Sequence, residues 1–485
     1  IDYYNKYIKI YILILGGDFM KNKNVNLGEG SVGKLLINLA VPAIIAQMVN
    51  LLYNIVDRIF IGRMANGEIA MAGIGVAMPI IMIISAFSYL IGSGGAPLTA
   101  IKMGEKNNDE AEKIMSNSFS MLLIIGVSLT IVFLLFKEPI LWAFGASETT
   151  INYALDYLTI YVMGTLFVQI ALGMNPFINT QGFAKIGMLT VLIGAVINIA
   201  LDPILIFTFD MGVKGAALTS IIAQGVSSLF ALNFLFGKKS ILKIRKKYLK
   251  LDKKIVGSIL ALGIAPFIMQ ATESLVLVSL NNQLSRFGGD LAIGAMTIMS
   301  SIMQIITMPL MGLTQGAQPI ISYNYGAKNL DRVKKTFKLL LLTCLSYSTL
   351  IVVLLMLFPD FFVSIFNNKP ELMEITTWSI KIYFAGMFIF GAQIACQQTF
   401  LALGRAKISL FLALLRKVVL LVPLIFILPN FTENGLFGVL LAEPVADIIA
   451  CATTVISFAV FYKNTLSNMK TYESYIVSAY SHNNN

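Results

Sequence analysis

The chain has 485 residues and a formal net charge of +11, with 57% hydrophobic and 13% charged residues. Soluble proteins carry about 45–50% apolar and about 25% charged residues, so this composition excludes a soluble enzyme. Twelve apolar stretches recur along the chain, and each is long enough to cross a hydrocarbon core roughly 30 Å thick as a helix. A membrane β-barrel would instead alternate apolar with polar residues. The sequence therefore predicts an all-α integral membrane protein with twelve transmembrane helices.

The amino-terminal segment is expected to include residues that the native protein lacks. Residues 15–20 spell Leu-Gly-Gly-Asp-Phe-Met, which is what a bacterial ribosome-binding stretch encodes when it is translated in frame. We therefore expect translation to start at Met20. The alternative is a short signal segment at residues 7–15, and it is disfavoured because no small-residue cleavage site precedes the first span.

The predicted spans follow in chain order. Several exceed the roughly 20 residues that a membrane requires, so we expect tilted helices that project beyond the bilayer. Their predicted bounds are 34–62, 69–98, 115–136, 150–180, 186–208, 213–237, 255–284, 290–322, 335–358, 372–402, 408–428 and 435–462.

The loops between these spans differ in charge. Those that follow even-numbered spans carry 20 Lys and Arg residues, whereas the opposite set carries 5. Positively charged loops stay in the cytoplasm, so both termini are predicted to be cytoplasmic. The basic run at 238–254, KKSILKIRKKYLKLDKK, is then expected to contact anionic lipid head groups rather than nucleic acid.

An internal repeat divides the chain into two halves. The segment GAPLTAIKMGEKNND at 95–109 aligns with AQPIISYNYGAKNLD at 317–331, at an offset of 222 residues. Each half holds six spans, so the copies have parallel topology and are related by an axis along the membrane normal. We predict two pseudo-symmetric six-helix bundles with a substrate cavity between them. The predicted units are an amino-terminal segment at 1–33, the N-lobe at 34–237, a basic cytoplasmic linker at 238–254, the C-lobe at 255–462 and a cytoplasmic tail at 463–485.

A polar stripe runs along the first span. Gln47, Asn50, Asn54 and Asp57 are spaced by 3, 4 and 3 residues, which at about 100° per residue places them within an arc of about 80°. Tyr53 lies one turn before Asp57. Because a carboxylate in a bilayer is costly, we predict that this face lines water or a substrate path. A hydrogen-bond ladder between helices is the alternative.

The fifth span carries a second acid beside a helix-bending residue. Asn198 and Asp202 lie four residues apart on one face, and Pro203 follows directly. Proline removes a backbone donor and clashes with the preceding turn, so we expect a kink next to the acid. Asp202 could act as a switch at this bend, or it could mark a helix end at the membrane edge.

The second half has the same scaffold but different charged residues. The seventh span, which corresponds to the first, carries Gln270 and Glu273. We predict that these two side chains line a substrate cavity together with Gln47, Asn50 and Asn54. The remaining charges in this half approximately balance, which indicates buried ion pairs with a mostly structural role. They are Lys381, Arg416, Lys417, Glu443 and Asp447.

Cysteine and histidine usage excludes several kinds of site. The three cysteines lie inside apolar runs without paired spacing, and the single histidine, His482, lies in the polar tail. A disulfide framework, a metal site and histidine-based catalysis are therefore not supported, and we predict no catalytic residue, no bound metal and no organic cofactor.

Taken in order, these segments resemble the multidrug and toxic compound extrusion (MATE) transporters, in particular their bacterial multidrug-efflux branch. The resemblance covers about residues 30–462. It is carried by VPAIIAQMVNLLYNIVDRIFIG, GSGGAPLTAIKMGEKNND, INIALDPILIF, MGVKGAAL and MQATESLVLVSLNNQL. It implies an antiporter in a bacterial cytoplasmic membrane, not an enzyme, in which a hydrophobic and often cationic drug leaves as protons or sodium ions enter. We expect it to work as a monomer.

The resemblance also implies roles for individual residues. The ion-coupling site would comprise Asp57, Asp202, Tyr53, Asn198, Tyr157, Asn175 and a hydroxyl at Thr219 or Ser220. Sodium-coupled relatives also use a seventh-span glutamate, which corresponds to Glu273, and an acid in the tenth span. The tenth span here, FAGMFIFGAQIACQQTF, holds no carboxylate, so a C-lobe cation site of that composition is not expected.

We favour the proton over sodium as the coupling ion. Removal from water disfavours the charged form of a carboxylate, and so does a second carboxylate nearby. A lipid-linked oligosaccharide flippase is the main alternative function, but it must bind an anionic pyrophosphate and should carry arginines in its cavity. The chain has only seven arginines. A channel is disfavoured by two unlike lobes, and a membrane enzyme by the lack of a nucleophile–base pair.

Overall fold

A computed structural model describes residues 26–64, 66–367 and 369–467. It shows ten single helices that are long and apolar enough to cross a membrane, and two bent pairs that each make one more span. The single helices are Val32–Gly62, Gly67–Gly104, Asn108–Ala143, Ala184–Thr208, Gly212–Phe236, Lys253–Gly289, Leu291–Gly326, Leu330–Leu357, Ala406–Asn430 and Gly435–Asn464. The bent pairs, which form the fourth and tenth spans, are Ile151–Met163 with Thr165–Thr180 and Pro370–Phe388 with Phe390–Ala402.

The twelve predicted spans are confirmed, and most of their bounds lie within a few residues of the observed ones. The third span differs most, since Asn108–Ala143 is longer at both ends than the predicted 115–136. Its first two turns, from Asn108 to Ile114, are helical but rich in polar residues such as the buried Glu112, so hydropathy alone misses them. The expected extension at 1–19 and the tail from 468 onward lie outside the described residues.

Two spans contain a wide helical turn beside a proline. The fifth span changes to π-helix at Ile204–Thr208 directly after Pro203, and the eleventh does so at Leu415–Leu421 just before Pro423. π-Helical turns occur frequently at functional sites. At the place of the predicted kink, directly after Asp202 and Pro203, the helix thus changes from α to π.

The repeat is visible in the turns that connect the second to the third span and the eighth to the ninth. Lys106 and Lys328 both have positive φ, at 60° and 58°. The next residue in each copy caps the following helix, with Asn107 accepting from Glu110 N at 3.1 Å and Asn329 from Arg332 N at 3.3 Å. Asparagine is among the best residues at this position. The two halves thus encode the same turn.

The lobes meet across a pseudo-two-fold axis where repeat-related glycines allow the backbones to touch. A Cβ atom added to Gly104 would lie 1.9 Å from Tyr323 O, and one added to Gly326 would lie 2.0 Å from Ile101 O. These four residues form two pairs related by the 222-residue offset. Only glycine permits so close an approach between membrane helices. The contact lies at the end of the bundle that carries the basic loops.

Each lobe also holds the segment that leads into the other lobe. The linker before the seventh span docks on the N-lobe, where Gln181 accepts from Leu242 N at 2.8 Å and Glu112 accepts from Arg245 Nε at 2.9 Å. The segment before the first span docks on the C-lobe, where Arg332 donates to the carbonyls of Gly30 at 2.7 Å and Glu29 at 3.0 Å. The two lobes are therefore joined by crossed segments as well as by the glycine contact.

Replacing Gly104 with alanine should destabilise the protein, because the new methyl group would overlap the Tyr323 carbonyl. We expect a loss of about 1–3 kcal/mol, typical of overpacking, measured as a lower melting temperature in detergent. Gly75→Ala in the same helix is the control, since its Cβ would meet nothing within 4 Å, and it should gain about 0.5–1 kcal/mol. Equal melting temperatures for the two variants would contradict the close contact.

Cysteine labelling tests the orientation inferred from the loop charges. In a cysteine-free background, a cysteine at exposed Glu433 should react with an impermeant maleimide in intact cells, and one at exposed Lys239 only after permeabilisation. Lys239 is preferred to the adjacent Ser240, which is 5% exposed and donates to Gln181. Labelling of Lys239→Cys in intact cells would reverse the assigned topology.

Candidate functional site

The N-lobe encloses a polar cavity of about 140 Å³, which can hold several water molecules. Its wall is formed by the first, second, fourth, fifth and sixth spans, and the eighth span of the C-lobe closes one side through Gln315 and Gln318. Six of the residues predicted from sequence line it: Gln47, Asn50, Tyr53, Asn175, Asn198 and Ser220.

The two N-lobe acids face each other close to this cavity. Asp57 and Asp202 lie close enough for their carboxyl groups to influence each other. Asp202 is 0% exposed, and neither of its oxygens has a hydrogen-bond donor among the described residues; the same holds for Oδ1 of Asp57. Buried polar atoms normally find a partner, and two bare carboxylates repel each other. A proton or a small cation between them would relieve both costs.

Asn198 connects the acid pair to the cavity. Its side chain is 1% exposed and lies one helical turn before Asp202, on the cavity wall. Neither its Nδ2 nor its Oδ1 has a hydrogen-bond partner in the described part of the chain. An amide with a free donor and a free acceptor can bind water or a hydrated ion on its way to Asp202.

Three tyrosines surround the acid pair. Tyr53 lies close to Asp57, Asp202 and Tyr161, and Tyr157 lies close to Asp57 and Ser220. The rings of Tyr157 and Tyr161 are stacked, with centroids 5.9 Å apart. Tyr161 was missed from the sequence, although its spacing of four residues from Tyr157 places both on one helix face. The rings of Tyr157 and Tyr161 are buried and help to shield the two acids from bulk water.

Several predicted site residues donate side-chain hydrogen bonds to backbone carbonyls. Asn54 donates to Asn50 O at 2.6 Å, and Thr219 lies beside Asp202 but donates to Gly215 O at 2.9 Å. Asn175 lines the cavity and donates to Gly187 O at 2.8 Å. Side chains bound in this way shape the wall, and their remaining lone pairs can still accept a hydrogen bond.

The seventh-span residues are separate from this cavity. Gln270 and Glu273 are absent from its wall, so the structure does not bring them together with the first-span stripe. Glu273 is paired with the ammonium of Lys417, which also donates to Met269 O at 2.8 Å. The sequence did not indicate this ion pair, because the lysine lies 144 residues away in the chain. A role of Glu273 in substrate binding stays a prediction.

The remaining C-lobe charges form the predicted buried ion pairs. Arg416 contacts Asp447 at 2.7 Å through Nε and Glu443 at 2.9 Å through an Nη atom. Lys381 is exposed and lies outside this cluster. Within the described residues, no group of three or more His, Cys, Asp or Glu side chains is arranged to hold a metal ion.

The chain is similar to proteins of known type along nearly its whole length. The multidrug export protein MepA of Staphylococcus haemolyticus is 27% identical over 91% of this chain and 96% of its own length. MepA of Staphylococcus aureus strain N315 is 26% identical over 86% of this chain and 91% of its own. A crystal structure of a MATE protein in the bent conformation superposes with a TM-score of 0.86 at 23% identity, over 93% of this chain and 99% of that one.

A family model describes the two halves separately. The MatE model matches residues 42–204 and 266–427, so one match falls in each predicted lobe and together they cover most of the chain. This agrees with the internal repeat, and it confirms the predicted type of protein, a membrane transporter with paired helical bundles rather than an enzyme. The chain belongs to the MatE family.

Proposed function

We propose that this protein exports hydrophobic cationic drugs from a bacterial cell in exchange for inward-moving protons, by alternating access between the two lobes. The observation that carries the proposal is the pair of facing acids, Asp57 and Asp202, with three unpartnered carboxylate oxygens among the described residues. Such a pair has no structural benefit, since each acid costs at least about 2.5 kcal/mol in a bilayer. The acid pair is explained if it takes up and releases a cation in each transport cycle.

Protonation of the pair can be linked to movement of the fifth span. One proton removes a negative charge and converts an acceptor into a donor, so the two carboxyls can bond to each other. Asp202 directly precedes Pro203 and the π-helical turn Ile204–Thr208, where the helix has fewer regular backbone bonds to break. The membrane potential sets the direction of transport, because a potential of 100 mV contributes roughly 2.3 kcal/mol for each positive charge that moves inward.

Sodium could use some of the same oxygens. A carboxylate, the Asn198 amide and a backbone carbonyl make a reasonable shell for a hard cation. We favour the proton because one proton on two neighbouring buried carboxyl groups removes a charge and also supplies the donor that their unpartnered oxygens lack.

We infer the class of substrate from the acidic residues of this chain and from the names of its relatives. The matched Staphylococcus proteins are named multidrug export proteins, and the acids of this chain would attract cations. A lipid-linked oligosaccharide flippase must bind a pyrophosphate. Among the described residues, the cavity wall contains neither arginine nor lysine, so this alternative is not favoured.

Neutralising either acid should uncouple transport without preventing drug binding. We expect Asp57→Asn and Asp202→Asn to abolish uphill efflux of ethidium from proteoliposomes, while the purified variants still bind the dye. Asp156→Asn is the matched control, since Asp156 lies in the same lobe with a half-exposed side chain paired with Lys214, and it should transport normally.

The assignment fails if either variant, Asp57→Asn or Asp202→Asn, drives efflux at the wild-type rate under an imposed pH gradient and likewise under a sodium gradient. A loss of folding would be recognised by size-exclusion profile and melting temperature, and Asp57→Glu or Asp202→Glu, which keep the acid, should then retain partial coupling.

A further inference from the structure

The pair formed by Glu273 and Lys417 lies next to the contact between the lobes. The residue after Glu273, Ser274, touches Met82 of the second span, with Oγ and Sδ 3.4 Å apart. Two turns before Ser274 on the same helix, Phe267 packs against Phe87 of the second span, with ring centroids 5.0 Å apart. Glu273 is thus one residue from the surface along which the two lobes separate.

The two partners differ in their access to the outside. The Glu273 side chain is 55% exposed, whereas Lys417 is 11% exposed. A ligand can therefore reach the carboxylate far more readily than the ammonium. Lys417 has a second acceptor at Met269 O, 2.8 Å away, which can hold the ammonium in place when the carboxylate is taken by another cation.

Among the described residues, Lys417 makes an ion pair with Glu273 alone. Its neighbour Arg416 contacts Glu443 and Asp447 through one oxygen of each. The cluster holds three carboxylates and two basic groups, so it carries one excess negative charge when all are ionised. The excess favours an incoming monovalent cation and disfavours an anion.

We propose that Lys417 is a tethered cation that competes with cationic substrates for Glu273 and so sets the charge specificity and affinity of the transporter. An organic cation replaces the Lys417 ammonium as the partner of the exposed Glu273 carboxylate. A neutral compound makes no ion pair with Glu273, so the carboxylate does not increase its affinity. The competition weakens cation binding, which lets the substrate leave again. This inference rests on the proposed function, because it assumes that organic cations enter between the lobes.

Removing the lysine charge should free Glu273 for the substrate. We expect Lys417→Met to bind tetraphenylphosphonium about tenfold more tightly than wild type in detergent, with unchanged affinity for neutral N-phenylnaphthylamine. Lys381→Met is the matched control, being the same substitution at an exposed lysine of the same lobe, and should bind both probes like wild type. Glu273→Gln should bind tetraphenylphosphonium about tenfold more weakly, again without effect on the neutral probe.

Wild-type or weaker affinity of folded Lys417→Met for tetraphenylphosphonium overturns the proposal. If that variant does not fold, Lys417→Gln, which can still donate to Met269 O, replaces it with the same expectation. Glu273→Gln is a second test that does not depend on any lysine variant. Unchanged affinity of this variant for tetraphenylphosphonium also overturns the proposal. A wild-type protein that binds no organic cation at all would count against the proposed export function itself, whereas wild-type binding with an unresponsive Lys417 defeats only this inference.

Discussion

The structure depends on the direct contact between the backbones of the two lobes, at the end of the bundle that carries the basic loops. Lipid gives no hydrophobic reason for helices to associate, so membrane helices rely on close packing of small residues. Gly104 and Gly326 each pack closely against a backbone carbonyl of the other lobe, and the internal repeat relates their two positions. The crossed segments reinforce it, since Arg332 of the C-lobe holds the chain before the first span. In the proposed alternating access, a pseudo-two-fold contact of this kind would let two similar lobes rock against each other about this end of the bundle.

The lobes share this scaffold but differ in how their buried charges are neutralised. In the N-lobe Asp57 and Asp202 face each other with no basic partner among the described residues for Asp202. In the C-lobe Arg416 and Lys417 neutralise all but one of three carboxylates. An unneutralised pair can change its charge during a cycle, whereas a neutralised cluster keeps its charge and can only exchange one cation for another. On this basis we propose that the N-lobe couples energy and that the C-lobe selects charge.

The sequence predicts the fold well because its signals are local. Apolar stretches gave all twelve spans, and the repeat gave matching turns at Lys106 and Lys328. Helical periodicity also predicted part of the N-lobe cavity wall. Gln47 and Asn50 of the polar stripe line the cavity, whereas Asn54 and Asp57 do not. The bounds were least accurate where a helix begins with polar residues, as the third span does at Asn108.

What the sequence could not show is contact between distant segments. The pairing of Lys417 with Glu273 joins residues 144 positions apart, and charge balance alone does not say which base meets which acid. The C-lobe residues Gln315 and Gln318 close an N-lobe cavity, and this depends on how the two lobes pack. The crossed lead-in segments were also unforeseen, because a basic linker has the same composition whether it docks or remains solvated.

The central claim is that inward proton movement through the N-lobe acids drives export. The most direct test is ion-resolved transport by the wild-type protein in proteoliposomes, with a pH gradient and a sodium gradient imposed separately and the release of a fluorescent cation recorded. The account predicts uphill transport under the pH gradient alone and none under the sodium gradient at equal pH. Transport that follows the sodium gradient and ignores the pH gradient would contradict it.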